Sequence, residues 1–461
     1  MSELKCISPI DGSVFATRPA MGADEVIARL AKMRMAQKTW AARPLDERID
    51  LVRAGVAALG AMNDEVVPEL AHMMGRPVRY GGEFGGVNER TQYMASIAHD
   101  ALKPLVAEDS EFFERRIAFE PHGVVLVIAP WNYPYLTAIN TIVPALMAGN
   151  VVAIKHATQT LLVGERIVRA FVEAGVPEDV FVNLFLDHAT TEALIGARAF
   201  DFINFTGSVG GGAAMERYAA GTFTPLGLEL GGKDPGYVCD DADIDWAVDV
   251  LLDGALYNAG QCCCGIERVY VAEQHFDRFV EGAVAWTNKL KLGNPLDPET
   301  SIGPMANARF AEEVRAQTRE AIEMGATPLI EKQNFPADPG SGTYLMPQLL
   351  INVNHDMRVM QDESFGPVVG IMPVKNDEEA IALMNDSRYG LTASIWTNDS
   401  KRAASIGERL ETGTVFMNRA DYLDPALCWT GCKETGRGGT LSIIGFQNLT
   451  RPKSYHLRKK A

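Results

Sequence analysis

The chain has 461 residues, of which 47% are apolar and 22% charged, and its formal net charge is −16. At roughly 150 residues per domain this length predicts two or three domains, with a core that needs no disulfide or metal staple. The acidic balance argues against nucleic-acid binding, and no apolar run approaches the roughly 18 residues that cross a bilayer. The first residues also lack an apolar signal-peptide core, so we expect a cytoplasmic protein without membrane or nucleic-acid partners.

The first half of the chain alternates between helical and strand patterns. Residues 23 to 75 predict helices, interrupted at Pro44 and ended by Gly75-Arg76-Pro77. From about residue 120, short apolar runs separate helical segments, and these runs are Val124–Ile128, Val151–Ile154, Val180–Leu186 and Phe202–Phe205. Continuous apolar strands between helices predict a parallel sheet that is covered on both faces.

A second alternation follows the glycine pair Gly231-Gly232. It contains a predicted helix at Asp243–Tyr257, a strand at Arg268–Val271 and a helix at Phe276–Leu290. We interpret it as a second α/β domain with its boundary at the glycine pair. The last segment, Gln447–Leu457, alternates polar and apolar residues, and it predicts either an edge strand that pairs outside its own domain or a loose tail.

Two segments at predicted strand ends carry groups suited to binding. Phe205–Gly212 is glycine-rich and lies between a strand and a helix, where the backbone approaches a phosphate and the helix N-terminus attracts an anion. A tight turn explains the same glycines. Pro130–Pro134 follows the first strand of the sheet, and the amide of Asn132 is a candidate oxyanion donor. A proline-bracketed turn is the alternative there.

The cysteines and one acid are candidates for covalent chemistry. Seven cysteines with a consecutive run Cys262–Cys264 do not make a disulfide framework, and they favour a reducing compartment. The histidines are scattered and there is no CxxC, which predicts no structural or catalytic zinc site. Cys263 is either an exposed nucleophile at a turn or an inert buried residue. Glu229 is either a desolvated general base or a buried acid paired with Lys233.

Together these motifs resemble the NAD(P)-dependent aldehyde dehydrogenase superfamily over nearly the whole chain. The thiol of Cys263 follows the acid Glu229 by 34 residues, as in that family. Seven short segments match in the family's order: Pro130–Pro134, Gly149–Lys155, Phe205–Ser208, Leu228–Lys233, Gly260–Cys263, Glu363–Pro367 and Gly431–Gly436. The chain is therefore identified as a member of this family.

The resemblance implies oxidation of an aldehyde to the carboxylic acid with NAD or NADP. In that mechanism Cys263 forms a thiohemiacetal and then a thioester, Asn132 and the Cys263 N–H stabilise the oxyanion, and Glu229 activates the hydrolytic water. Lys155 and Glu363 would hold the two riboses. The complete set of cofactor-binding residues carried over by the resemblance is Trp131, Lys155, Thr158, Gly207, Ser208, Glu363 and Phe365.

The resemblance also implies an α/β, aldehyde dehydrogenase-like fold in three parts. A Rossmann-like cofactor domain comprises residues 1–102 and 122–232, and a second α/β catalytic domain comprises 233–433. A small β oligomerisation or bridging element comprises 103–121 and 434–461. In this family that element pairs with a second subunit, which predicts a homodimer or homotetramer. The expected partner is a small-molecule aldehyde, and no metal is expected.

The sequence departs from the family pattern beside the cofactor and the base. Where the family reads Pro-Ser-Glu after the lysine, this chain has His156-Ala157-Thr158. Thr158 removes an acid that would repel a 2′-phosphate, so NADP as well as NAD is expected. His156 either faces that phosphate or is a surface residue without a role. Thr440 stands where the family often has a second acid, which leaves Glu229 as the only obvious base.

The sequence is compatible with several classes of aldehyde substrate. Succinate semialdehyde enzymes similar to this one carry an arginine eight residues after the oxyanion asparagine, and here that position is Asn140. Arg419 is a candidate anchor for the carboxylate of a semialdehyde substrate. Two acids and two aromatic residues favour a hydroxylated or amino aldehyde, unless the acids are merely solvated: Asp421, Tyr422, Asp424 and Trp429. A catalytically silent structural or binding protein on the same fold is the alternative of another class.

Overall fold

Residues 2–460 are described by a computed structural model, in which helices alternate with mostly parallel strands. The strands are β1 (Glu3–Ile7), β2 (Val14–Pro19), β3 (Leu105–Asp109), β4 (Phe113–Pro121), β5 (Val124–Ala129), β6 (Val151–His156), β7 (Phe181–Asn183), β8 (Phe202–Thr206), β9 (Leu226–Glu229), β10 (Asp234–Val238), β11 (Ile266–Ala272), β12 (Thr327–Pro328), β13 (Gln348–Ile351), β14 (Val368–Val374), β15 (Tyr389–Gly390), β16 (Thr392–Trp396), β17 (Thr414–Met417), β18 (Cys432–Lys433), β19 (Gly436–Arg437) and β20 (Thr450–Arg458).

The helices between residues 2 and 460 include two that lie close to the predicted segments Asp243–Tyr257 and Phe276–Leu290. They are α1 (Ala23–Ala41), α2 (Leu45–Gly60), α3 (Asn63–Met74), α4 (Phe84–Leu102), α5 (Pro134–Met147), α6 (Val163–Glu173), α7 (His188–Gly196), α8 (Val209–Ala219), α9 (Ile244–Leu256), α10 (Phe276–Thr287), α11 (Ala308–Glu323), α12 (Arg358–Gln361), α13 (Asp377–Asn385), α14 (Ser400–Gly407) and α15 (Ser442–Asn448). None of the helices between residues 2 and 460 is long and apolar enough to cross a membrane.

The first sheet has six strands in the order β19-β9-β8-β5-β6-β7. Its strands are parallel except for β19, which runs antiparallel to β9. Every residue of β5 and β6 is buried, because helices α1 and α5 pack against both strands. The predicted parallel sheet with both faces covered is confirmed, although β7 is shorter than the apolar run Val180–Leu186.

The second sheet has seven strands in the order β12-β13-β14-β11-β10-β16-β17, and only β12 is antiparallel to its neighbour. Its central strand β11 is buried along its whole length. The hydrophobic core changes between Leu230, which belongs to the first core, and Tyr237, which belongs to the second. The glycine pair Gly231-Gly232 therefore lies where the chain passes from one core to the other.

A third, antiparallel sheet has the order β20-β4-β3. Strand β20 pairs with β4 from Thr450 opposite Pro121 to Arg458 opposite Phe113. The alternative of a loose C-terminal tail is therefore wrong, although Gln447 belongs to α15 rather than to the strand. Because β19 joins the first sheet, residues 434–460 are divided between two sheets.

Candidate active site

A strained turn before β11 presents Cys263. Asn258, Ala259 and Gly260 all have positive φ, at 54°, 57° and 68°, which is an unfavourable region for residues with a side chain. A Cβ on Gly260 would lie 2.4 Å from the carbonyl oxygen of Gly366, so only glycine permits this approach to the loop that precedes β14. The turn leaves Cys263 half-buried, whereas the cysteines on both sides of it are buried.

The neighbouring thiols favour the thiolate of Cys263. The Sγ atoms of Cys262, Cys263 and Cys264 all lie within 4.8 Å of one another. The proximity of Cys262 and Cys264 lowers the pKa of Cys263 to about 6, which favours its thiolate. The Oδ1 atom of Asp421 accepts hydrogen bonds from Cys262 at 3.2 Å and Cys264 at 2.9 Å. Asp421 is therefore part of the site, and its interpretation as a solvated loop residue is wrong.

These three thiols also form the only group of donor atoms, among the residues that the structure describes, close enough together to hold a metal ion. They belong to the turn that carries the nucleophile. A metal bound there would occupy the thiolate that the covalent chemistry requires.

Glu229 ends β9 in a buried position and is held by two hydroxyl groups. Thr206 donates to its Oε2 at 2.9 Å and Thr440 to its Oε1 at 2.5 Å. Burial raises the pKa of Glu229, and the two hydrogen bonds oppose that rise. The alternative pairing with Lys233 is wrong, because the ammonium of Lys233 pairs with Glu267. Thr440, at the position of a missing acid, instead orients the remaining one.

Asn132 follows β5, and its backbone is clamped from two sides. Its carbonyl oxygen accepts hydrogen bonds from Nη2 of Arg76 at 2.5 Å and from Nδ2 of Asn258 at 3.2 Å. The guanidinium of Arg76 forms a buried ion pair with Glu83. A second oxygen of Glu83 accepts the N–H groups at the start of α5. The sequence pattern identified Gly75-Arg76-Pro77 only as a helix end, and it missed this support.

A cavity of about 230 Å³ lies on one side of the nucleophile. Asn132, Glu229 and Cys263 line it. Five of the seven residues predicted to bind the cofactor also line it: Trp131, Gly207, Ser208, Glu363 and Phe365. Lys155 and Thr158 are not among the residues that line this cavity. They lie at the end of β6 and in the turn that follows it.

The walls of this cavity of about 230 Å³, here called the cofactor cavity, fit a nicotinamide dinucleotide. Ser208 caps the 11-residue helix α8 and accepts the N–H of Gly211 at 3.2 Å, so a helix N-terminus faces the site of a pyrophosphate. Trp131 stacks on Phe310 and meets the edge of Phe365, with ring centroids 5.3 Å and 5.4 Å apart. These apolar walls suit a flat ring.

Glu363 supplies a carboxylate to the cofactor cavity. It accepts the N–H of Gly232 at 3.0 Å, and burial raises its pKa to about 8. A Cβ on Gly231 would lie 2.3 Å from Oε2 of Glu363, so the glycine is needed for this approach. A buried carboxylate with spare acceptor positions is suited to the hydroxyl groups of a ribose.

A cavity of about 340 Å³, here called the substrate cavity, lies on the other side of Cys263. The two cavities share four lining residues: Thr206, Glu229, Leu230 and Cys263. The thiol and the carboxylate therefore stand between the two cavities. A molecule in either one has direct access to both groups.

His156 departs from both interpretations of the sequence. It is 6% exposed, and its Nε2 donates to the carbonyl oxygen of Pro134 at 3.1 Å. Its Nδ1 accepts hydrogen bonds from the N–H of Ala157 and the hydroxyl of Thr160. Burial lowers the pKa of His156 to about 4, so the ring is neutral. Both ring nitrogens thus have protein partners, and His156 is a buried residue that joins β6 to the following turn.

The arginine that lines the substrate cavity is Arg90, which sequence reasoning missed. It lies on α4, and its Nη1 donates to Oδ1 of Asn140 at 3.0 Å. Arg419, the expected carboxylate anchor, is exposed and does not line the cavity. Its Cζ atom lies 3.5 Å from the ring centroid of Tyr422. Arg90 is 50 residues from Asn140 in the chain, so only the folded structure brings the two together.

The chain matches the aldehyde dehydrogenase family over residues 1–455 and belongs to that family. It is 32% identical to a succinate-semialdehyde dehydrogenase [NADP(+)] of Deinococcus radiodurans over 451 residues, which cover 97% of this chain and 93% of the relative. It is also 32% identical to a betaine aldehyde dehydrogenase of Bacillus subtilis, over 98% of this chain and 94% of the relative.

Solved structures agree with this assignment. An NADP-dependent glyceraldehyde-3-phosphate dehydrogenase from Bacillus halodurans, complexed with NADP, superposes with a TM-score of 0.91 at 32% identity, over 100% of this chain and 96% of the other. An NAD-dependent aldehyde dehydrogenase from Sinorhizobium meliloti superposes with a TM-score of 0.94 at 31% identity, over 100% of this chain and 92% of the other. The predictions of an α/β aldehyde dehydrogenase fold, of aldehyde oxidation and of NAD or NADP as cofactor are confirmed.

Proposed function

We propose that this enzyme oxidises its aldehyde to the free carboxylic acid through a thioester on Cys263, with Glu229 as the base. The observation that carries this proposal is the position of both side chains in the wall shared by the two cavities. A nucleophile there reaches an aldehyde on one side and a cofactor on the other. The lowered pKa of Cys263 supplies the thiolate at neutral pH.

In the first step the Cys263 thiolate attacks the aldehyde carbon, so that a C–S bond forms and the carbonyl oxygen becomes an oxyanion. The side-chain amide of Asn132 and the N–H of Cys263 donate to this oxygen, and such a donor lowers the barrier by about 3–4 kcal/mol. The two hydrogen bonds to the Asn132 carbonyl oxygen hold the backbone from which this donor projects. The thiohemiacetal of Cys263 becomes a thioester when its carbon loses a hydride, and a nicotinamide dinucleotide held in the cofactor cavity would supply the acceptor for that hydride.

In the second step Glu229 takes a proton from water, whose oxygen attacks the thioester carbon. The C–S bond breaks, the Cys263 thiolate leaves, and the carboxylic acid is released. Glu229 must be ionised to act, and burial opposes ionisation. The hydroxyl groups of Thr206 and Thr440 donate to its two oxygens, and they stabilise the ionised form.

We propose that Gly207 and Ser208 bind the pyrophosphate and that Glu363 binds a ribose, with Trp131 and Phe365 against the nicotinamide. Lys155 and Thr158 would bind the adenosine end of the cofactor, beyond the end of β6. Thr158 is uncharged and Lys155 is cationic, so this end would accept a 2′-phosphate. The expected enzyme uses NADP as well as NAD.

The proposed organisation follows the same resemblance. Residues 1–102 and 122–232 would form the cofactor domain, 233–433 the catalytic domain, and 103–121 with 434–461 the bridging element. The edge strands β3 and β20 expose Leu105, Val106 and Leu457, which supports pairing of this element in a homodimer or homotetramer. Seven free cysteines, one of them with a lowered pKa, support a cytoplasmic location.

The test is formation of reduced nicotinamide by the purified enzyme with NAD and NADP, using plain, carboxylate-bearing and amino aldehydes. Cys263→Ala should abolish turnover and retain cofactor binding. Cys432 is half-buried like Cys263, so Cys432→Ala is the matched control and should leave turnover intact. Glu229→Gln should retain a first burst of reduced nicotinamide and lose the slower steady rate. Turnover by Cys263→Ala would move the nucleophile elsewhere and overturn the proposal.

A further inference from the structure

We propose that Arg90 binds a carboxylate carried by the aldehyde substrate, so that the preferred substrates are short oxo acids with an aldehyde at one end and a carboxylate at the other. This inference rests on the proposed function, because it places the aldehyde carbon at Cys263. Arg90 and Cys263 line the same cavity of about 340 Å³. A short chain anchored at the arginine thus has its other end in the cavity that contains the thiol.

Arg90 is a buried cation whose hydrogen-bonding capacity is only partly used. It is 8% exposed, and its Nη1 atom alone donates, to Asn140 at 3.0 Å and to the carbonyl oxygen of Leu136 at 3.1 Å. Its Nε and Nη2 atoms have no protein acceptor among residues 2–460, and no carboxylate in that range forms an ion pair with it. Two donors of a buried guanidinium therefore remain for a ligand.

The other buried arginines of the described chain differ from Arg90. Arg76 and Arg315 form ion pairs with carboxylates. Arg48 and Arg268 donate from two or more of their nitrogens to backbone carbonyl oxygens. Taking a cation out of water without such compensation is costly, and a substrate carboxylate would supply the missing partner at Arg90.

Most acids of the substrate cavity are engaged or disfavoured as partners for an ammonium group. Glu89 accepts the hydroxyl of Tyr422 at 2.6 Å, and Asp421 accepts both thiols beside the nucleophile. Asp253 also lines the cavity and forms no ion pair among residues 2–460, but burial raises its pKa and so disfavours its charged form. Of the three lining tyrosines, two already lie against arginines, since Arg76 lies 4.8 Å from the ring centroid of Tyr133 and Arg419 lies 3.5 Å from that of Tyr422. These contacts favour an anionic substrate over a cationic one.

Asn140 sets the direction of the anchor. Its Oδ1 atom accepts from Nη1 of Arg90, and its buried Nδ2 atom has no protein partner in residues 2–460. The contact between α4 and α5 thereby holds the guanidinium against the cavity wall. Arg90 is a specificity-determining residue in this arrangement, and it takes no part in the bond changes at Cys263.

The experiment compares three aldehydes of equal chain length: butanal, 4-oxobutanoate and 4-aminobutanal. The wild-type enzyme should prefer 4-oxobutanoate. Arg90→Gln should lower kcat/KM for 4-oxobutanoate by about 10- to 100-fold, mainly through KM, which is the loss expected for charge-assisted hydrogen bonds. It should change kcat/KM for butanal by no more than about threefold. Arg90→Lys should restore part of the loss, and the exposed control Arg419→Gln should behave as wild type.

Equal losses for butanal and 4-oxobutanoate would overturn the inference, as would a wild-type preference for 4-aminobutanal. If the wild-type enzyme oxidises none of the three aldehydes, the proposed function fails and the anchor is tested separately. Calorimetric titration with succinate then decides, because wild type should bind it and Arg90→Gln should not. Equal succinate binding by both proteins would refute the anchor.

Discussion

The buried pair of Lys233 and Glu267 is expected to hold the loop beside the cofactor cavity. Their side chains are 0% and 5% exposed. Glu267 also accepts the N–H groups of Ser364 at 2.8 Å and Phe365 at 2.9 Å, so it fixes the residues that line the cavity. Lys233→Met leaves the charge of Glu267 buried without its counter-ion. Such a loss costs about 3–5 kcal/mol, and the lost hydrogen bond to the Ser364 hydroxyl adds about 1 kcal/mol.

The assay is a double-mutant cycle in urea, with Lys233→Met, Glu267→Gln and the double variant. Each single variant should lower the free energy of unfolding by several kcal/mol. The double variant should be more stable than the sum of the two losses predicts, since it leaves no unpaired buried charge. The reasoning is refuted if Lys233→Met lies within about 0.5 kcal/mol of wild type, or if the two losses simply add.

Two further predictions concern the ionisation of the catalytic groups. The pKa of Cys263 is lowered to about 6, so the rate of its alkylation by iodoacetamide should rise as the pH increases through about 6. Replacing Cys262 and Cys264 by Ala should move the midpoint of that rise toward the ordinary thiol pKa of 9.0. An unchanged midpoint would contradict the assignment of the low pKa to these two neighbours. Thr440→Val removes a hydrogen bond that favours ionised Glu229, so the pKa of Glu229 should rise. The acidic limb of the pH profile of the steady-state rate should then move to higher pH. An unshifted limb would show that the hydroxyl of Thr440 does not act on the base.

Local patterns predicted the elements of this fold because their causes are local. The apolar runs that form β5, β6 and β8 are short, β-rich and bounded by helical segments, and these properties are visible within a few residues. The positive φ of Gly260 is likewise a local property of its turn, whereas the close approach of that turn to Gly366 is not. Motifs of this kind can be recognised in a single sequence.

Contacts between distant segments could not be predicted. Arg76 contacts Asn132 across 56 residues, and Thr440 contacts Glu229 across 211 residues. Nothing in the sequence around Arg90 distinguishes it from a solvated arginine on an amphipathic helix. His156 was misjudged for the same reason, because its burial depends on α5 packing over the end of β6. Side-chain partners follow from tertiary packing, which periodicity does not encode.

The wall shared by the two cavities has a consequence for the order of events. Thr206, Glu229, Leu230 and Cys263 are common to both linings, and the rest of each cavity is bounded by different residues. We therefore expect the acid product to dissociate while the dinucleotide is still bound, and dead-end analogues of the two substrates to inhibit together rather than exclude one another. Mutually exclusive inhibition by a dinucleotide analogue and an aldehyde analogue would show that the two routes to the thiol are not independent.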